Sequence, residues 1–103
     1  MTTPIRILVA DDDVAKRLAI TRILRQANYE VLQAAGGVEA LDLAKTTALD
    51  LVLLDVEMPD LGGTEVCLRL RADPATSALP VLYLSAHRTK TRHRIEGLDS
   101  GAD

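Results

Sequence analysis

Two short apolar runs that end abruptly in carboxylates constrain this chain most. Leu51, Val52, Leu53 and Leu54 are followed at once by Asp55, with Met58-Pro59 just beyond. Ile5 to Ala10 run directly into Asp11, Asp12 and Asp13. Short runs rich in Leu, Val and Ile suit strands covered on both faces, the habit of parallel sheets. Two such strands side by side would bring their acids to one edge of a sheet. Clustered carboxylates repel one another and disfavour ionisation. A chain that gathers them has a use for a hard cation such as Mg²⁺, which prefers oxygen ligands.

The segments between these runs read as helices and further strands. Ile20, Ile23, Leu24 and Ala27 fall at i, i+3, i+4 and i+7, an amphipathic stripe over about 14–27. Asp12 or Asp13 can cap that helix, Asp13 being better placed, and Asn28 suits a left-handed stop. Tyr29 to Ala34 read as a second strand, broken by Gly36-Gly37. Leu41, Ala44 and Ala48 mark a second helix, about 38–47, and Asp50 to Leu54 form the third strand. Pro59, Gly62 and Gly63 make 55–63 a loop. Val66, Cys67 and Leu70 give a third helix its apolar face, and Asp73-Pro74 ends it. Pro80 opens a fourth strand, Val81 to Leu84, with Ser85 at its end. Ile95 and Leu98 mark a fourth helix, about 89–99, stopped at Gly101. Four alternations of strand and helix imply a parallel sheet with right-handed crossovers and helices on both faces. Ligands bind such sheets at the carboxyl ends of the strands. Asp11, Asp12, Asp55 and Ser85 all stand there.

Composition narrows the function. The 103 residues fit one domain, and with only Tyr29 and Tyr83 aromatic the core must be Leu, Val, Ile and Ala. A net charge of −3 argues against general nucleic-acid affinity. The single cysteine, Cys67, excludes an intrachain disulfide and a cysteine-based zinc site, and its place on an apolar face suits a small core residue. No segment resembles a signal peptide or membrane span, so a cytoplasmic setting is expected. Residues 87–94, His-Arg-Thr-Lys-Thr-Arg-His-Arg, read as the solvated start of the fourth helix, or alternatively as a docking face for an acidic partner.

The acids can be given roles. Asp12 and Asp55 can ligate Mg²⁺ or Mn²⁺ directly, Asp11 through a water, and the backbone carbonyl of Glu57 can add a ligand from the loop. Asp55 is then the candidate nucleophile toward phosphorus, and Ser85 can hydrogen-bond a phosphoryl oxygen. Asp13 is assigned to the cap, and Thr64 and Glu65 to the first turn of the third helix, where the macrodipole favours Glu65.

These residues resemble the receiver domain of two-component response regulators. The likeness rests on Ile7-Leu8-Val9-Ala10-Asp11-Asp12-Asp13, on Leu51 to Asp55 with Met58-Pro59 and Gly63, on Leu84-Ser85-Ala86, and on Gly97-Leu98 with Gly101-Ala102-Asp103. It implies one receiver domain over 1–103, a flavodoxin-like three-layer α/β/α fold, and a parallel sheet ordered 2-1-3-4(-5). It further implies phosphorylation of Asp55 by a histidine kinase or histidine phosphotransfer protein with Mg²⁺. Ser85 is implied as the switch hydroxyl acting on an output domain or partner, none of which is expected within this chain. The family's fifth strand, its lysine and its fifth helix have no counterpart before Asp103, and Lys16, Lys45 and Lys90 do not follow a fifth strand. On that reading the chain is C-terminally truncated, and strand four is an open edge that invites association of two copies. Gly36 and Gly62 stand where the family often has capping acids or amides, which is expected to weaken two caps.

Two other readings compete. An aspartyl-phosphate phosphohydrolase would want an Asp-x-Asp motif; Asp55-Val56-Glu57 departs from it, and the chain is short for a substrate cap. A non-phosphorylatable receiver-like interaction module would tolerate the missing lysine but has no need of an intact row of acids.

Overall fold

The structure, a computed structural model, describes residues 3–84. Strands and helices alternate along that span: β1 (Arg6–Ala10), α1 (Val14–Gln26), β2 (Glu30–Ala34), α2 (Gly37–Thr46), β3 (Leu51–Leu54), α3 (Gly63–Ala72) and β4 (Val81–Tyr83). The strands form one parallel sheet, as the alternation of strands and helices implies, in the order β2-β1-β3-β4 that the receiver resemblance implies. The expected fourth helix, Ser85, the basic run 87–94 and the Gly101-Ala102-Asp103 match lie outside the described residues.

The sheet is buried on both faces because its residues alternate between two clusters. Leu8, Ala10, Ala34, Val52, Leu54 and Val81 point to one side, where Ala40, Leu41 and Ala44 of α2 and Val66, Cys67 and Leu70 of α3 cover them. Ile7, Val9 and Val31 point to the other, against Ile20 and Leu24 of α1. Leu8, Val9, Val52 and Leu54 have no exposed surface, and each such side chain contributes roughly 1.5–3 kcal/mol of burial.

Helix α1 departs from its expected stripe. Ile20 and Leu24 face the sheet, but Ile23 is 64% exposed and Ala27 is exposed, while Thr21 is buried. The buried face is centred between Ile20 and Thr21, and Ile23 stands about 110° from that centre on a 3.6-residue helix. The caps agree better. Asp13 is the N-cap, its Oδ1 accepting from the Lys16 N–H at 3.2 Å. Asn28 adopts φ 72°, the left-handed stop. The Tyr29 N–H bonds the Leu24 carbonyl and the Asn28 N–H the Arg25 carbonyl, the two bonds of a Schellman motif.

The α2 cap is a correction. Gly36 makes no side-chain cap, but the helix is not left open. Asp60, from the loop after β3, accepts from the Gly37 N–H at 3.0 Å and the Val38 N–H at 3.1 Å. A methyl on Gly36 would stand 2.8 Å from both Asp60 oxygens, so the missing side chain is what admits the trans cap. Ala48 also lies beyond the end of α2, and Ala40 replaces it in the buried face. Helix α3 behaves as read: Gly62 provides no side-chain cap, and the chain turns extended at Asp73 before Pro74.

Candidate functional site

The site follows from the register of three strands. Ala10 of β1 pairs with Leu54 of β3 and with Ala34 of β2. The next residues continue the ladder: the Asp11 N–H bonds the Ala34 carbonyl at 3.1 Å, and the Asp55 N–H bonds the Ala10 carbonyl at 2.9 Å. Asp11 and Asp55 are therefore held by main-chain bonds at one edge of the sheet. Asp12 follows on the loop into α1 and is exposed. Carboxylate oxygens of Asp11, Asp12 and Asp55 come within 4.8 Å of one another.

Each carboxylate is fixed by its own loop. Asp11 is fully buried, and its Oδ1 accepts from the Asp13 N–H at 2.9 Å. The Arg17 guanidinium donates to the Asp11 carbonyl at 2.8 Å and to Gln33 Oε1 at 3.2 Å, tying α1 and β2 to the turn. Asp55 is 7% exposed, and its Oδ1 takes a long bond of 3.4 Å from the Glu57 N–H. Gly63 lets this loop fold back on itself. Its N–H bonds the Val56 carbonyl at 2.9 Å, and a methyl there would collide with the Asp55 carbonyl. Asp13 takes no part in the cluster, as expected of a cap. At β4 the Leu84 N–H bonds the Leu54 carbonyl at 2.7 Å, which carries the chain along the same edge as far as Leu84, the last of the described residues.

Lys16 is the residue the sequence reading missed. Its ammonium lies 2.9 Å from Asp11 Oδ2 and 4.0 Å from Asp55 Oδ1. Burial pulls the Lys16 pKa down, but the bond to Asp11 and the charges of Asp55, Asp11 and Asp13 outweigh it and leave the pKa raised. The Asp55 pKa is raised too, by burial first and the Asp11 charge second, against the opposing pull of Lys16 and the Glu57 N–H. A signal was present in the sequence. Lys16 is the third residue of α1, where the macrodipole disfavours a cation, and the first turn holds no acid.

The donor set suits a hard divalent cation. It offers three carboxylates from two strand ends, and buried Asp11 Oδ2 meets no donor among the described residues but the Lys16 ammonium. Among the described residues no helix is long and apolar enough to cross a membrane.

Known proteins share both sequence and shape. The response regulator receiver domain matches residues 7–103. Response regulator MprA of Mycobacterium sp. (strain KMS) is 49% identical over 100 residues, which is 97% of this chain and 42% of that protein. The chain thus spans less than half the length of the curated relatives it matches. The chemotaxis response regulator CheY4 of Vibrio cholerae superposes with a TM-score of 0.90 at 33% identity, covering 97% of this chain and 82% of that one. The receiver domain of sensor histidine kinase PA1611 from Pseudomonas aeruginosa PAO1 has a magnesium ion coordinated in its active site cleft. It gives a TM-score of 0.88 at 26% identity, over 98% of this chain and 82% of that one. With nearly every residue inside the family match and the sheet superposing on solved receivers, the chain belongs to the response regulator receiver domains of two-component systems.

Proposed function

We propose that Asp55 accepts a phosphoryl group from the phosphohistidine of a histidine kinase or histidine phosphotransfer protein. The observation that carries this reading is a nearly buried carboxylate at a strand end, grouped within 4.8 Å with Asp11 and Asp12 oxygens. An Asp55 oxygen attacks phosphorus as the phosphorus–nitrogen bond breaks, and the bonding pair leaves with the imidazole. Asp12 and Asp55 would hold Mg²⁺ or Mn²⁺, with Asp11 in support and the Glu57 carbonyl as a further ligand. A cation held there would offset charge on the phosphoryl oxygens. The chain's own residues prepare the acceptor. The main-chain bond to Ala10 and the Glu57 N–H orient Asp55, and the Asp13 N–H and Arg17 fix Asp11 beside it. Ser85 would hydrogen-bond the phosphoryl group and pass the change to an output domain or partner. Residues 1–103 act as one receiver domain, with a cytoplasmic kinase as donor.

The test is chemical. Acetyl phosphate with Mg²⁺ should add one acid-stable, base-labile phosphoryl group, absent in Asp55→Asn. Mass spectrometry that maps the label to Ser85 or a threonine would overturn the acceptor assignment. No label at all would favour a non-phosphorylatable interaction module.

A further inference from the structure

We propose that Lys16 is a resident cation of the acidic site that competes with the divalent metal and must leave its carboxylates for the metal to enter. The inference rests on the proposed metal site and adds a residue to it. Its geometry is specific. The ammonium sits 2.9 Å from Asp11 Oδ2, the buried oxygen that accepts no other hydrogen bond among the described residues, and 4.0 Å from Asp55 Oδ1. Those two carboxylates belong to the group whose oxygens converge within 4.8 Å. A lysine bridging them occupies the oxygens and the charge that a cation would use.

The helix supplies an independent argument. Lys16 is three residues past the cap Asp13, at the positive end of the α1 dipole, where an acid is the favourable choice. Its own N–H is spent on the Asp13 side chain. Nothing in the helix favours a cation there; the acids across the turn do. The side chain is also 31% exposed, so it can swing to solvent without opening the core. Among the described residues the metal-free acids thus hold the Lys16 ammonium, and metal entry exchanges a flexible monovalent cation for a divalent one.

Calorimetry with Mg²⁺ on the wild type, Lys16→Met and Lys16→Arg tests this. Removing a unit charge a few ångström from the metal should tighten binding by roughly tenfold in Lys16→Met, even with partial screening. Lys16→Arg should stay near wild type. Equal or weaker binding by Lys16→Met overturns the competition while leaving the metal site standing. Absence of binding in all three proteins overturns both. A second measurement needs no variant, and so survives if Lys16→Met folds poorly. Amine acylation of the wild type, read residue by residue by mass spectrometry, should speed up several-fold at Lys16 when Mg²⁺ is added, with exposed Lys45 unchanged. A Lys16 rate that Mg²⁺ leaves constant or slows overturns the proposal.

Discussion

Asp55 is held in a place that penalises its charge. Its pKa lies above the ordinary 3.8, because burial and the Asp11 charge outweigh the help from Lys16 and the Glu57 N–H. The folded state therefore binds that proton more tightly than the unfolded chain. Stability contributed by the protonated form is present below the unfolded pKa and declines as pH rises through the interval up to the folded value. Above that interval the whole penalty is in force. Asp55→Asn keeps the shape and removes the charge. At neutral pH, in metal-free buffer, the variant should melt higher than the wild type by a few degrees. The advantage should close as pH falls below the ordinary carboxylate range. Thermal melts of both proteins across that range check it, and a wild type as stable as the variant at pH 7 would mean the acid is not strained. The same residue scale shows what sequence can and cannot reveal. Asp11, Asp12 and Asp55 were legible because strand ends announce themselves. Lys16 was missed because its signal, a cation in a first turn that holds no acid, is a local one without periodicity.

At the scale of elements, the strands were read nearly residue for residue, since an apolar run buried on both faces permits little else. Helix faces were read less well. Ile23 counted toward a stripe by spacing alone, yet the rotation of α1 is set by what packs beneath it. The α2 cap was invisible for a different reason: Asp60 is 23 residues from the N–H it serves on Gly37. That cap ties the loop carrying Asp55 to the start of α2, and it can be tested through pH. The Asp60 pKa is lowered, first by the Val38 N–H and then by the Gly37 N–H. Its stabilisation is present above the unfolded carboxylate pKa and is lost as pH falls through the lowered folded value. Asp60→Ala should therefore lower the melting temperature by a few degrees at pH 7 and converge with wild type in acid. Amide exchange should quicken at Gly37 and Val38. Unchanged exchange at those two amides would show that the helix start is held by something other than this carboxylate.

For the molecule as a whole, site and stability are coupled through charge. The sheet assembles buried Asp11 and nearly buried Asp55 at adjacent strand ends, and the unfolded chain keeps no such grouping. A cation held by the cluster therefore binds the folded state and stabilises it by RT ln(1 + [L]/Kd). At a Mg²⁺ concentration ten times its dissociation constant this amounts to about 1.4 kcal/mol, which shifts the melting temperature by roughly 6–11 °C in a domain of this size. Asp12 faces solvent, so its loss should leave the fold intact while removing a ligand. Asp12→Ala should melt near wild type without metal and lose most of the Mg²⁺ shift at the same concentration. NaCl at matched ionic strength serves as the control, because screening alone also relieves carboxylate repulsion. A shift reproduced by NaCl, or one retained in full by Asp12→Ala, would mean that the three acids do not act together on one ion.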